Sequence, residues 1–219
     1  MVKPCKTRCI SGKTKLLNAL LCRKDNGKIM AKSIMFVGVG GQGTLLASRI
    51  VGHVLLAEGF DAKVSEVHGM SQRGGSVSTY VKYGEAVHSP IVDKGEADVI
   101  VAFEQLEAAR WTSYVKENGL MIINTQKLAP MPVITGAAEY TADIIPKIEA
   151  LGIGTVSLDA LALAEQAGSS KCVNTVMMGA LSTKLDFAEA LWLEAIRDCV
   201  PPAALDINLK AFELGRRAK

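Results

Sequence analysis

The segment from Ile34 to Gly59 constrains this chain more than any other. Ile34-Met35-Phe36-Val37 is an apolar run with no polar interruption, the pattern of a strand covered on both faces of a parallel sheet. It leads straight into Gly38-Val39-Gly40-Gly41-Gln42-Gly43. Leu45, Leu46, Val51, Leu55 and Leu56 then recur at helical spacing as far as Glu58-Gly59, where Gly59 can close a helix. Ala62 to Val67 reads as the next strand. Strand, glycine turn, helix and strand in this order predict a βαβ unit.

The alternation continues. Ser76 to Val81 and Asp98 to Phe103 read as strands, Glu104 to Asn118 as a helix ended by Gly119, and Leu120 to Ile123 as a strand. Pro130 and Pro132 break the chain. Thr141 to Leu151 reads as a helix with Pro146 as an irregularity, and Thr155 to Leu158 as a short strand. Four helices follow, near Leu161–Ala167, Val173–Thr183, Phe187–Val200 and Ala203–Arg217. The expected fold class is α/β: a Rossmann-like, mostly parallel sheet flanked by helices, with a helical C-terminal part.

Charge separates the ends of the chain. The formal net charge of +3 hides a stretch, residues 1–32, with nine basic groups and one acid, Asp25; the remainder is net −5. The foldable part is therefore mildly acidic, which argues against nucleic-acid binding. Residues 1–30 read as a basic extension with a turn around Asp25-Asn26-Gly27, and residues 31–219 as one domain. Within the extension, Cys5, Cys9 and Cys22 lack a fourth zinc ligand. Gly12-Lys13-Thr14 lacks the upstream glycine of a P-loop, because residue 7 is Thr7. Five scattered cysteines suit a reducing cytoplasm better than a disulfide scaffold. No apolar stretch is long enough to span a membrane.

Two segments carry candidate site residues. Gly38, Gly40 and Gly43 fit G-x-G-x-x-G, with Gly41 and Gln42 at the tip. Small residues there let backbone approach an anion, and the helix N-terminus offers free N–H donors. The same glycines would also serve a tight turn with no ligand. A dinucleotide site wants an acid about 20 residues further on. The candidate here is Glu66, 28 residues after Gly38. The second segment runs through His68, Gly69, Met70, Gln72, Arg73, Gly74 and Gly75. Arg73 beside two glycines can clamp an anion, and Met70 offers an adaptable apolar contact. A plain surface loop with a solvated Arg73 stays open. No catalytic residue is assigned and no metal site is expected, since no Ser/His/Asp order, H-E-x-x-H or C-x-x-C is present.

Taken together, Gly38 to Gly43 and Glu66-Val67-His68-Gly69-Met70-Ser71-Gln72-Arg73-Gly74-Gly75 resemble the gamma-type subunits of 2-oxoacid:ferredoxin oxidoreductases. The resemblance runs from Lys32 to the C-terminus. It takes in Gly84-Glu85, Ser89-Pro90, Ala97-Asp98, Asn174 with Gly179, and Asn208 to Gly215. The His-Gly-Met-Ser-Gln form points to the indolepyruvate branch. The alternatives are the pyruvate or 2-oxoglutarate branches, a stand-alone Rossmann NAD(P)-dependent oxidoreductase, and a non-catalytic binding protein.

The resemblance implies a subunit that is inactive alone. Its complex would decarboxylate a 2-oxoacid on thiamine diphosphate, pass electrons through 4Fe-4S clusters to ferredoxin, and transfer the acyl group to coenzyme A. This chain has no diphosphate–Mg²⁺ motif and no C-x2-C-x2-C-x3-C run, so thiamine diphosphate, Mg²⁺ and the clusters are expected on a large alpha subunit. Gly40 to Gly43 and Arg73 to Gly75 are then expected to face a cleft that contacts coenzyme A.

Overall fold

Strand β3 (Lys32–Val39) is the middle of the molecule, and its alternation builds both sides of the core. Ile34 and Phe36 point into one apolar layer, Met35 and Val37 into the other, and all four are at most 1% exposed. Burial of each such side chain contributes roughly 1.5–3 kcal/mol. The computed structural model describes residues 24–25, 28–29, 31–68 and 74–218. A short antiparallel pair, β1 (Lys24–Asp25) and β2 (Lys28–Ile29), flanks Asn26-Gly27.

The main sheet also contains β4 (Asp61–His68), β5 (Ser76–Gly84), β6 (Ala97–Ala102), β7 (Val115–Asn124) and β8 (Gly154–Leu158), in the order β4-β5-β3-β6-β7-β8. The β3–β6, β6–β7 and β7–β8 pairings are parallel, while β5 is antiparallel to both neighbours. The expected mostly parallel α/β sheet is therefore present, with one difference. The βαβ unit through α1 (Thr44–Ala57) is split: β4 runs parallel to β3, but β5 lies between them. A β4–β5 hairpin returns the chain to the vacant edge of β3, with Phe36 opposite Thr79 and Thr79 opposite Glu66.

Helices cover both faces. On one side pack α1, α5 (Ala160–Ala167), α6 (Val173–Ser182), α7 (Glu189–Cys199) and α8 (Leu205–Arg217). On the other are α2 (Gln105–Trp111) and α4 (Ile144–Ala150). A single turn, α3 (Met131–Ile134), stands in the loop after β7. Among the described residues no helix is long and apolar enough to cross a membrane.

Two sequence expectations are corrected. The helix expected over Glu104–Asn118 ends at Trp111; one 3-10 turn follows, and β7 begins at Val115. Pairing with β6 overrides local helix propensity there, and Asn118 takes φ 61° where the strand's register shifts. The expected Thr141–Leu151 helix starts only at Ile144. Pro146 then falls in its first turn, where no backbone donor is needed, so it is no irregularity.

Every residue of α6 is buried, and α6 crosses α8 backbone to backbone. A Cβ on Gly179 would lie 2.2 Å from Phe212 O, and one on Gly215 would lie 2.0 Å from Val176 O. Gly179→Ala and Gly215→Ala should therefore each lose roughly 1–3 kcal/mol or more, because the helices must separate. Gly52→Ala in α1, where among the described residues nothing beyond the local helix backbone lies within 4 Å of the added carbon, should gain about 0.5–1 kcal/mol from helix propensity. Urea denaturation of the three variants checks both signs.

Candidate functional site

The turn after β3 is held by the Gln42 side chain. Its Oε1 accepts from Val39 N at 2.7 Å, and its Nε2 donates to Phe103 O at 3.1 Å. Gln42 thus closes its own turn and ties it to the end of β6. Gly38 leaves room for this, since a Cβ there would sit 2.8 Å from Gln42 Oε1. Gly40 N donates to Gly75 O at 2.9 Å, joining the turn to the start of β5. Gly43, at φ 81°, is the N-cap of α1 and provides no side-chain cap. Its missing Cβ admits Asn174 Nδ2, 2.7 Å from where that carbon would be. Gly41, at φ 103°, forms the open tip, with nothing among the described residues within 4 Å of an added carbon.

Two clefts open on either side of this tip, at the carboxyl ends of the parallel strands where ligand crevices of open α/β sheets lie. The first, of about 410 Å³, lies between Gly40–Gly43, Thr44 and Leu45 of α1, and Glu66 and Val77 of the antiparallel hairpin. The second, of about 300 Å³, lies between Gly41 and Gln42, the β7 loop residues Gln126 and Leu128, and the segment Ser170–Val173 leading into α6.

A buried carboxylate shapes the second cleft. Glu104, 1% exposed, caps α2 by accepting from Glu107 N at 3.0 Å. Its Oε1 also accepts from Leu128 N at 3.1 Å and from the Tyr140 hydroxyl. One carboxylate so holds both ends of the loop from Leu128 to Tyr140. Three donors offset its desolvation, since no cationic side chain pairs with it among the described residues. Burial, and then the Glu104 carboxylate, push the Tyr140 phenol well above its ordinary range, so it stays a donor. Glu107, also buried, accepts from Ser76 Oγ at 2.5 Å and Trp111 Nε1 at 3.3 Å, and pairs with Arg110 at 3.2 Å.

Other reactive groups stand apart. Burial raises the Cys172 and Cys199 thiols, which disfavours the nucleophilic thiolate. His53 faces Asp198 at 3.7 Å on the outer surface of α1 and α7. Among the described residues no group of three or more His, Cys, Asp or Glu side chains could hold a metal ion.

The strand order, the turn and its flanking clefts can be set beside known proteins. The profile of the pyruvate ferredoxin/flavodoxin oxidoreductase family matches residues 33–218. The chain belongs to this family. It is 44% identical over 191 residues to the indolepyruvate oxidoreductase subunit IorB of Thermococcus kodakarensis, covering 85% of this chain and 95% of that protein. The corresponding subunit of Pyrococcus horikoshii is 42% identical, with the same coverage. A ketoisovalerate oxidoreductase subunit of Methanothermobacter marburgensis, 31% identical, is longer, and the match spans 37% of it. The fold matches the gamma subunit of a keto/oxoacid ferredoxin oxidoreductase from Geobacter sulfurreducens, with TM-score 0.61, 22% identity, and coverage of 84% of this chain and 95% of that one. It also matches a 2-oxoglutarate:ferredoxin oxidoreductase from Magnetococcus marinus, with TM-score 0.66, 18% identity, and coverage of 85% and 30%.

In this member of the family, the sequence candidates divide. Gly40, Gly41, Gly43 and Glu66 meet at the first cleft. Gly38 and Gln42 build the turn, with both ends of the Gln42 amide engaged internally. Gly74, at φ 79°, and Gly75 lead into β5. The backbone of His68 ends β4, opposite Val77. Gly69, Met70, Gln72 and Arg73 lie outside the described residues, as do the expectations for residues 1–23. Glu66 is two strands from β3 because β5 intervenes, unlike the neighbouring acid of a dinucleotide site.

Sequence reasoning passed over Glu104, Asn124, Gln126 and Lys171. The one local signal was Glu104 as an N-cap three residues before Glu107. Removing that carboxylate leaves three donors without an acceptor, of which the Glu107 amide is buried and the Leu128 amide and Tyr140 hydroxyl half-buried; a buried donor left unpaired costs about 1–3 kcal/mol. Glu104→Ala should therefore be strongly destabilised and open to proteolysis between residues 126 and 140. Tyr140→Phe should loosen the same loop less. Limited proteolysis followed by mass spectrometry reads both.

Proposed function

We propose that this chain is the smaller subunit of a heteromeric oxidoreductase that converts an aryl 2-oxoacid such as indolepyruvate to its acyl-CoA. Electrons go to ferredoxin. The observation that carries the reading is near end-to-end similarity to four indolepyruvate oxidoreductase subunits, at 36–44% identity and 95% or more of most of their lengths. A split NAD(P) fingerprint, with β5 between the glycine turn and Glu66, gives the stand-alone dehydrogenase no comparable support.

In such a complex the large partner carries thiamine diphosphate, Mg²⁺ and the 4Fe-4S clusters. Thiamine diphosphate supplies the carbanion stabilisation that decarboxylation needs. The present chain has neither the diphosphate motif nor the cysteine run for these groups. Its own part is to complete the cleft and hold coenzyme A. The uncapped N-terminus of α1 and the bare tip at Gly41 favour an anionic group lying close to backbone. Glu66 on the opposite wall repels a phosphate and accepts from hydroxyl or amide donors. Phosphates are therefore assigned to the α1 side, with Arg73 as their side-chain partner. Gly40, Gly41, Gly43, Gly74 and Gly75 provide close backbone approach. Residues 31–219 are the working domain, residues 1–30 a basic extension, and the location cytoplasmic.

The purified chain should reduce no viologen dye with aryl pyruvates and coenzyme A, and activity should appear on addition of the large subunit. Activity of the chain by itself would overturn the subunit reading. In the complex, Arg73→Ala should raise KM for coenzyme A about 10- to 100-fold, matching the roughly 1.5–3 kcal/mol of a hydrogen bond to a charged group. An unchanged KM would remove Arg73 from the coenzyme A site.

A further inference from the structure

The second cleft is lined by donors whose orientation the protein itself dictates. Three amides decide this in sequence. Asn124, fully buried, accepts from Ala160 N through Oδ1 at 3.1 Å. Its Nδ2 is therefore directed at Phe103 O, 3.0 Å away, and at Gln126 Oε1, 3.4 Å away. Gln42 accepts from Val39 N through Oε1, so its Nε2 also points at Phe103 O and, at 3.4 Å, at Gln126 Oε1. Two amide donors thus converge on the carbonyl of Gln126 and set which way that amide is turned. Its NH2 group has no partner among the described residues, and Gln126 lines the cleft. Reversing the amide would place three NH2 groups against one another.

The remaining wall agrees in sign. Lys171 lines the cleft, is exposed, and pairs with no carboxylate among the described residues. It leads into α6, whose ten buried residues have no side-chain cap at the N-terminus. Leu128, Leu161 and Val173 provide the apolar surface. Among the described residues no Asp or Glu lines this cleft, whereas Glu66 lines the first. The donors are held in place: Glu104 pins Leu128, and the Gly179–Gly215 crossing fixes α6. A cavity offering an ammonium and a fixed amide NH2 over apolar walls suits one ligand chemistry.

We propose that this second cleft is a binding site for an anionic group, a carboxylate or phosphate, carried on an apolar stem. Lys171 neutralises the charge, Gln126 Nε2 donates to one oxygen, and Leu128, Leu161 and Val173 cover the stem. The site is separate from the Glu66 cleft and does not depend on where coenzyme A binds there. Its ligand is either a free aryl or branched carboxylate or an arm of a phosphorylated cofactor.

Isothermal titration of the full chain distinguishes the sources. The probes are phenylacetate, inorganic phosphate and coenzyme A, each against wild type, Lys171→Met, Gln126→Leu and, as a charge control, Lys147→Met on α4, which lines neither cleft. Saturable binding of at least one probe is expected, weakened at least tenfold by Lys171→Met and by Gln126→Leu and unchanged by Lys147→Met. Thermal melting confirms that each variant is folded, and Lys171, being exposed, serves if Gln126→Leu is not. Phenylacetate binding that coenzyme A does not displace assigns the site to a free carboxylate. Coenzyme A binding that displaces phenylacetate and is weakened by Lys171→Met assigns it to the cofactor arm. Absence of saturable binding by all three probes, no probe whose binding Lys171→Met weakens, or an equal loss in Lys147→Met overturns the proposal.

Discussion

The crossing of α6 over α8 sets the rest of this structure. At Gly179 and Gly215 the two backbones touch with no side chain between them. Such an approach leaves α6 little freedom to slide or rotate, because helix backbones are incompressible at that separation. Its N-terminus is consequently delivered to Gly43, where Asn174 fits only because Gly43 has no side chain. The same placement brings Lys171 and Val173 opposite the glycine tip. A packing constraint at one end of a buried helix so becomes site geometry at the other.

Polar groups do comparable work at the carboxyl ends of the strands. Gln42, Asn124 and Gln126 form a continuous amide chain, and Glu104 gathers three donors. Each bond is modest in net terms, but an unpaired group would be costly where it is buried, as at Asn124 and Glu104. These groups therefore act as rigid spacers for the two clefts. The first cleft, with Glu66, and the second, with Lys171, differ in charge although they share the tip at Gly41.

Much of the secondary structure was legible, for a physical reason. The apolar run Ile34–Val37 and the helical periods of α1, α6, α7 and α8 reflect burial that repeats with the backbone's own period. The 104–118 segment was not legible in this way. Its residues suit a helix locally, yet Val115 and the residues up to Asn124 gain more by pairing with β6. At the site, the glycine turn could be read because tight turns restrict residue type. The sequence marks Gln42 as a site residue, but not that its amide bonds reach Phe103 and Gln126, 61 and 84 residues away. Lys171 and Gln126 carried no local signature, being single residues made adjacent by packing.

By itself the sequence determined the α/β alternation, the strand–turn–helix at Gly38–Gly43, and the resemblance that the family match at residues 33–218 bears out. These depend on local periodicity and on short motifs whose residue types are dictated by backbone approach. Only the tertiary structure decided that β5 enters between β3 and β4, that Glu66 faces α1 from two strands away, and that a second, acid-free cleft exists beside the first. Those features arise from contacts between residues distant in the chain, which no local pattern records. Backbone pairing and close packing, in choosing among such contacts, set the chemistry of both clefts.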